Sequence, residues 1–346
     1  MKKPLLALLL GATLLASCDP STEITPVPTT SSVYILSEGQ FQAGDGAVSA
    51  FDKTTKALSV DAFAAANGGT MLGDVVQDMG VVGTRGYICV NASNKVEVVS
   101  LPDFKRVKTI ANIRQPRYFA ATSATRGYVT SWRGPYTNYA AGKVMVLDLT
   151  TNTVIDSITV GRCPEQLTVL NNLLYVPNSY DNTVSVIDAS TNKVTATVTV
   201  TTGPRTVVAD QANSLWVLCS QPYGATSTPP AALVRFAPGS TTAQLTLPFA
   251  SSGAAQLRIS PSKTLLYYSY NGAEYQLSTT ATALPTTPFI RRSFSGFGID
   301  PRDNTIYAAV STGYTTNGRF IRYPAAGGAA IDSFTVKVGP NGFAFY

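Results

Sequence analysis

Short, mostly apolar runs separated by polar turns recur along this chain from residue 33 to its end. In one stretch these runs cover residues 166–170, 173–177, 183–188 and 193–200. Apolar and polar positions that alternate with a period of two predict β-strands that bury one face. Outside the first seventeen residues, no segment shows a convincing helical period. The pattern therefore predicts an all-β protein built from units of four short antiparallel strands.

The four-stranded unit repeats along the chain. The segment GKVMVLDLTTNTV at residues 142–154 returns forty residues later as NTVSVIDASTNKV at residues 182–194. A fixed period of ~40–50 residues is typical of a β-propeller. One strand of each unit carries an aromatic residue, and the seven such positions are Tyr34, Tyr87, Tyr128, Tyr175, Trp216, Tyr267 and Tyr307. Seven positions predict one seven-bladed propeller over residues 33–346.

The two ends of the predicted propeller complement each other. Residues 339–346 have the pattern of the first strand of a unit and then stop, whereas residues 33–37 have the pattern of a second strand that lacks its first. Pairing the two strands in one blade would remove an exposed sheet edge. We therefore expect the C-terminal strand to close the ring against the N-terminal strand.

The first residues have the features of an export signal. Two lysines are followed by an apolar stretch and small residues, which predicts a signal peptide over residues 1–17. Leu15, Ala16, Ser17 and Cys18 resemble the bacterial lipobox, which implies that Cys18 is lipidated. An ordinary signal with a chance cysteine is the alternative. Residues 18–32 would then form a flexible tether rich in Pro, Ser and Thr, and we expect an outer-membrane lipoprotein that faces the cell surface, with periplasmic orientation left open.

Composition excludes much catalytic chemistry. The chain contains no histidine, so histidine-based triads and histidine metal ligands are excluded. It has no Gly-x-Ser-x-Gly motif, no phosphate-binding glycine loop after a strand and no acidic cluster with calcium-loop spacing. We therefore expect no catalytic residues, no cofactor and no metal. A lactonase-like or other hydrolase is the weaker alternative.

Charge and cysteines add two expectations. The formal net charge is only +6 and the basic residues are scattered, so we expect no nucleic-acid partner. Cys89 and Cys219 lie inside apolar strands and are expected to be buried as small hydrophobic residues. No Cys-x-x-Cys spacing occurs, and we assign no disulfide.

Aromatic loops are the first candidate site. Loops that join second to third strands, and those that join one blade to the next, lie on one side of a propeller, called here the top face. These loops are long and carry aromatic rings, which offer broad apolar surfaces with few rotamers to restrict. The alternative is that the rings only pack the loops down. The candidate ligand-binding residues are Phe41, Trp132, Arg133, Tyr136, Tyr139, Tyr180, Tyr223 and Tyr314.

A ring of polar residues is the second candidate site. The innermost strand of four blades starts with proline, and aligning the seven strands on that position places mostly polar residues next to it. The alternative to ligand binding is a hydrated channel mouth with internal Arg–Glu pairing. This polar collar consists of Gln77, Arg117, Glu165, Arg205, Gln256 and Asn341, with Gly296 in the remaining blade.

Several motifs resemble known propeller families. LYVPN at residues 174–178, NTVSVID at 182–188 and TNKV at 191–194 look like the YVTN-type propeller repeat. VYILSEGQF at residues 33–41, LGDVVQDM at 72–79 and NKVEVV at 94–99 resemble surface lipoprotein propellers of Gram-negative bacteria. That family includes the cobalamin-capturing partner of the TonB-dependent cobalamin transporter.

The resemblance implies a binding protein. We expect a monomer that captures a bulky small molecule, with cobalamin or another corrinoid as the best candidate, and passes it to a TonB-dependent outer-membrane transporter. The alternative is a propeller without a small ligand that binds proteins in cell-envelope assembly or adhesion.

Overall fold

The computed structural model describes residues 32–135, 138–220 and 230–346, which form seven sheets. Blade 1 has the strand order β27-β1-β2-β3, and blades 2 to 7 follow in chain order. The strands are β1 (Ser32–Ser37), β2 (Ala47–Asp52), β3 (Leu58–Ser59), β4 (Val76–Val82), β5 (Arg85–Val90), β6 (Lys95–Ser100), β7 (Arg106–Ala111), β8 (Pro116–Ala121), β9 (Arg126–Arg133), β10 (Ala140–Asp148), β11 (Thr153–Arg162), β12 (Thr168–Leu170), β13 (Leu173–Asn178), β14 (Thr183–Asp188), β15 (Lys193–Thr199), β16 (Pro204–Ala209), β17 (Leu215–Cys219), β18 (Ala232–Phe236), β19 (Ala243–Pro248), β20 (Ala254–Ile259), β21 (Leu265–Tyr270), β22 (Ala273–Ser278), β23 (Gly296–Ile299), β24 (Ile306–Val310), β25 (Asn317–Tyr323), β26 (Asp332–Val338) and β27 (Pro340–Phe345).

The ring closes as the sequence predicts. The C-terminal strand β27 is the innermost strand of blade 1 and pairs antiparallel with β1, with Val33 opposite Phe345 and Ser37 opposite Pro340. The same strand contacts β4 of blade 2 and β23 of blade 7. The seven-bladed prediction and the predicted pairing of the two ends are both confirmed.

Two local features depart from the predicted pattern. Blade 6 has three strands, β20 to β22, where a fourth was expected. The segment that follows β22 carries Pro285 and Pro288, which cannot donate to a strand ladder, and only one bridge joins Glu274 to Ile290. Between β3 and β4 lies a single-turn helix, α1 (Ala62–Ala66), capped by the Asp61 carboxylate. Five residues are too few to produce a helical period in the sequence.

Two of the tyrosines at the aromatic repeat positions form hydrogen bonds to the neighbouring blade. The Tyr87 hydroxyl of blade 2 donates to Asn152 Oδ1 of blade 3 at 3.1 Å. The Tyr128 hydroxyl of blade 3 donates to Ala189 O of blade 4 at 3.1 Å. Asn152 sits in a hairpin turn with φ of 53°, a left-handed conformation that asparagine tolerates well. Both rings thus fill the space between two sheets, and their hydroxyls donate hydrogen bonds to acceptors in a turn of the next blade.

The cysteines lie in this packed interior. Cys89, Cys163 and Cys219 are buried and free, as predicted for Cys89 and Cys219. Burial raises the pKa of the Cys219 thiol to about 12, so the group stays protonated and behaves as a small apolar residue. Among the described residues, no helix has the length and apolar character needed to cross a membrane.

Deleting residues 339–346 should destabilise the whole propeller. The deletion removes the innermost strand of blade 1 and exposes the edges of β1 and of the neighbouring inner strands. Thermal melting followed by circular dichroism should show a large drop in the midpoint or loss of the cooperative transition. An unchanged melting curve would contradict closure by β27.

Replacing Tyr128 by Phe should lower the free energy of unfolding by about 1–2 kcal/mol, because the carbonyl of Ala189 loses its buried donor. Denaturant unfolding measures the change. The matched control is Tyr314→Phe, since Tyr314 is 74% exposed and its hydroxyl should contribute little. Equal stabilities of the two variants would show that the inter-blade hydrogen bond does not stabilise the fold.

Candidate functional site

A cavity of ≈380 Å³ opens on the top face at the mouth of the central channel. It brings together aromatic residues from the top loops and members of the polar collar, two groups that the sequence presented separately. Its lining consists of Phe41, Val75, Asn91, Arg117, Trp132, Tyr139, Glu165 and Arg205. The cavity therefore combines apolar ring surfaces with a charged floor.

Irregular strand pairing places the collar side chains. In β4 the register shifts between Val76 and Asp78, so Gln77 is an extra residue at a β-bulge. The corresponding shifts in β8, β16, β20 and β27 fall at Arg117, Arg205, Gln256 and Asn341. A bulge redirects side chains and is common beside functional sites. Blade 7, where the aligned residue is Gly296, has no such shift in its paired residues.

Arg117 occupies the centre of the cavity floor. Its Nε and Nη2 atoms donate to Glu165 Oε2 at 3.2 and 3.1 Å, and Nη1 donates to Gln77 Oε1. The guanidinium lies over the Trp132 ring, 4.3 Å from its centroid, in cation–π geometry. Burial alone would lower the pKa of Arg117, but Glu165, Tyr118 and Glu38 together outweigh burial and raise it. Arg117 is therefore a fixed positive charge.

Trp132 and Tyr139 form one wall of the cavity, and Tyr180, which does not line the cavity, packs behind Tyr139. Trp132 is buried near the end of β9, and its Nε1 donates to Pro164 O at 3.1 Å. Tyr139 packs edge-on against Trp132 with ring centroids 5.1 Å apart, and against Tyr180 at the same distance. Buried Cys163 lies beneath this cluster. These rings pack their loops together and also present a rigid aromatic surface.

Phe41 differs from these rings because 54% of its surface is exposed. It lies in the loop between β1 and β2, which is held by side-chain caps: Gln40 N donates to Asp45 Oδ1 at 2.7 Å and Gln42 N to Asp74 Oδ2 at 2.8 Å. An exposed ring on a restrained loop can contact a ligand with little loss of conformational entropy. Among the aromatic residues that line the cavity, Phe41 is the most accessible for such a contact.

The collar continues into the channel below the cavity. A smaller cavity of ≈100 Å³ is lined by Glu165 and Arg205 from the upper cavity and by further residues of the inner strands. Gln256 Nε2 donates to Ser295 O at 2.8 Å, and Asn341 Nδ2 donates to Glu38 Oε1 at 3.0 Å. The other residues that line the smaller cavity are Tyr118, Gln166, Thr206, Ala255, Gln256 and Arg258.

The remaining candidate residues lie elsewhere. Tyr314 is 74% exposed and does not line the cavity. Arg133, at the end of β9, is partly exposed and also lies outside the lining. Tyr136, Tyr223 and Cys18 are outside the described residues. Within the described part of the chain, no group of three or more Cys, Asp or Glu residues could hold a metal ion.

The sequence did not single out Asn91, Asp78 or Arg258. Asp78 follows Gln77 directly and Arg258 lies two residues after Gln256, so both occur on inner strands next to collar positions. Their position next to collar residues was the signal in the sequence that they lie near the channel. Which side chains face the channel, however, is determined by the bulges. Asp78 Oδ2 accepts from Phe119 N at 2.8 Å, and burial raises the pKa of its carboxyl to about 6.

The architecture and the cavity define a β-propeller whose top face is suited to binding or interaction. The chain belongs to the DUF5074 family, a domain of unknown function, whose model matches residues 31–339. No curated protein sequence matches the chain.

Solved structures share the fold at low identity. A quinonprotein alcohol dehydrogenase-like protein from Bacteroides thetaiotaomicron superposes with a TM-score of 0.67 at 14% identity, over 91% of this chain and 78% of that one. A putative 6-phosphogluconolactonase from Bacteroides fragilis gives 0.62 at 14%, over 95% and 100%. Hydrazine synthase from Kuenenia stuttgartiensis gives 0.61 at 14%, over 77% and 88%. At this identity the likeness concerns the fold alone.

Asp78 should make the stability of the propeller depend on pH. Because its pKa is raised from 3.8 to about 6, the folded protein holds this proton where the unfolded chain has released it, so stability falls as pH rises from about 4 to about 6. In Asp78→Asn this decline is absent. The difference in free energy of unfolding between variant and wild type should therefore grow by ~2–3 kcal/mol between pH 4 and pH 7. Urea unfolding across this range measures it, and parallel pH profiles would show that Asp78 titrates normally.

Proposed function

We propose that this protein binds a bulky small molecule in the aromatic cavity at the mouth of its central channel. The observation that carries the proposal is the composition of that cavity, which Phe41, Trp132 and Tyr139 line together with the fixed guanidinium of Arg117. A volume of ≈380 Å³ lies within the range of ~300–1,000 Å³ that is usual for ligand pockets.

The cavity favours a flat or conjugated ligand that also carries polar groups. Trp132 and Tyr139 are held by their mutual contact and by the hydrogen bond to Pro164 O, so little entropy is lost when a ligand packs on them. Glu165 and Asn91 supply polar atoms beside the rings. Few, fixed polar groups within an aromatic lining are typical of sites that select the orientation of a ligand.

We propose a corrinoid such as cobalamin as the ligand. The support is the resemblance of the segments at residues 33–41, 72–79 and 94–99 to surface lipoprotein propellers of Gram-negative bacteria, together with the position of Phe41, which ends the first of these segments and lines the cavity. A corrinoid is larger than the cavity, so only one edge of it would be enclosed. Partial enclosure suits a ligand that is passed on to a second protein.

The proposed setting is the outer membrane. Lipidation of Cys18 would tether a monomeric propeller to the bilayer through residues 18–32, with the top face free to meet a TonB-dependent transporter. The lipobox-like residues before Cys18 support this proposal.

We propose binding without catalysis. Glu165, the carboxylate of the cavity, accepts two hydrogen bonds from Arg117 at Oε2, so this oxygen is occupied by a guanidinium. The lactonase-like alternative would need a different group to activate water.

A protein partner is the second candidate. Phe41 and Tyr314 expose 54% and 74% of their surfaces on top loops, and exposed aromatic residues are enriched at protein interfaces. A propeller that binds a protein in envelope assembly or adhesion would use these rings directly.

Calorimetric titration with cyanocobalamin tests the first proposal, using residues 19–346 without the lipid anchor. Wild type should bind one equivalent, and Phe41→Ala should weaken binding by roughly 5–30-fold without lowering the melting temperature, because the ring is exposed. Tyr314→Ala is the matched control and should bind like wild type.

Two results would redirect the proposal. Unchanged affinity in Phe41→Ala would remove the cavity from the binding site. No binding by a folded wild-type protein would contradict corrinoid capture, and pull-down from detergent-solubilised membranes would then test for a protein partner, whose binding should fall in both Phe41→Ala and Tyr314→Ala.

A further inference from the structure

The smaller cavity in the central channel is rich in hydrogen-bond donors. It has a volume of ≈100 Å³ and lies among the inner strands of blades 3 to 6. Two arginines, Arg205 and Arg258, line it, and the single lining carboxylate is Glu165. Glu165 accepts two hydrogen bonds from Arg117 at Oε2, so the one lining carboxylate is already paired with a guanidinium.

Arg258 has an unused donor group. Its Nε donates to Phe297 O at 3.0 Å, and its Nη1 donates to Gln166 Oε1 at 3.0 Å and to Leu257 O at 2.9 Å. No protein acceptor within the described residues takes a hydrogen bond from Nη2, and no carboxylate there lies within 4.0 Å of the guanidinium. The Arg258 guanidinium is therefore held by three hydrogen bonds, while Nη2 remains available as a donor.

Neighbouring side chains point to the same ligand chemistry. Gln166 uses its oxygen to accept from Arg258, which leaves its amide nitrogen as a donor. Tyr118 and Thr206 add hydroxyl groups to the lining. Burial raises the pKa of Tyr118 to about 12, so the phenol keeps its proton and can donate. Guanidinium, amide and hydroxyl donors around a small volume match the oxygen atoms of an oxyanion.

The charge of Arg258 is only partly compensated. Burial lowers the pKa of Arg258, and the nearby Tyr118, Asp78 and Glu274 do not restore it to its ordinary value. Even so, an arginine remains charged at neutral pH. A half-buried cation without a close counter-ion is unfavourable, and an anion bound at Nη2 would relieve that cost.

We propose that the lower channel cavity binds a small oxyanion, a phosphate or carboxylate group, held by Arg258 together with Gln166 and Tyr118. The cavity shares Arg205 and Glu165 with the aromatic cavity above it. The oxyanion can therefore be a free ion or an anionic group carried by a ligand in the upper cavity. This inference does not depend on the identity of that ligand.

Isothermal titration of the folded propeller with inorganic phosphate, at low ionic strength and without corrinoid, tests the site. Wild type should show saturable binding of one equivalent, and sodium acetate should compete if a carboxylate binds the same donors. Arg258→Gln should weaken phosphate binding by roughly 10–100-fold, the usual loss for a charge-assisted hydrogen bond. Arg133→Gln is the matched control, because Arg133 lines neither cavity, and it should bind phosphate like wild type.

A second variant keeps the test decisive if Arg258→Gln folds poorly. Gln166→Glu preserves the acceptor for Arg258 Nη1 and adds a negative charge to the cavity, so it should abolish phosphate binding while the melting temperature is maintained or raised. Non-saturating heats in wild type, or equal affinities of wild type, Gln166→Glu and Arg258→Gln, would overturn the proposal.

Cyanocobalamin titrations of the same variants separate the two sources of the oxyanion. If free phosphate is the ligand, cyanocobalamin should bind Gln166→Glu as it binds wild type. If the group belongs to the larger ligand, phosphate should compete with it and Gln166→Glu should weaken both. If wild type binds phosphate but does not bind cyanocobalamin, only the corrinoid proposal is contradicted.

Discussion

One extra residue near the top of the inner strands determines what this propeller presents at its axis. In five inner strands, β4, β8, β16, β20 and β27, the pairing register shifts at a polar residue of the collar. A regular strand would send successive side chains alternately into the two blade interfaces, whereas a bulge turns one of them out of that alternation. In blade 7 the equivalent residue is Gly296, where a Cβ would lie 1.9 Å from Asn341 O, so the absence of a side chain lets β27 pack closely.

In the aromatic loops, packing of the rings is compatible with the proposed role in binding. Trp132, Tyr139 and Tyr180 hold one another in a cluster, as expected if they only stabilise long loops. The same contacts fix the ring faces beside Arg117 and so prepare a surface for a ligand. Rigidity supplied by packing is what allows a loop-based site to bind without a large entropic cost.

The sequence revealed the fold because strand alternation and the recurring aromatic residue are local signals that repeat. The aromatic residue recurs because each blade must fill the gap to its neighbour, and Tyr87 and Tyr128 also donate a hydrogen bond to a turn of the next blade. The site was only partly visible. Phe41 and Arg117 belong to different blades, and their meeting in one cavity depends on loop course and on bulge positions, which leave no periodic trace. Likewise, the loss of a fourth strand in blade 6 reflects two prolines in a segment that lacks any repeat.

Closure by the last strand has a consequence for the order of events during biogenesis. Since β27 is the innermost strand of the first blade, the ring is incomplete until the final residues have been synthesised and have paired with β1. Until then the other blades would form an open arc with unpaired strand edges, and such edges make a partly folded chain prone to aggregation. Asn341 belongs to this strand and completes the collar, so the polar ring at the channel mouth forms only when the last strand has paired.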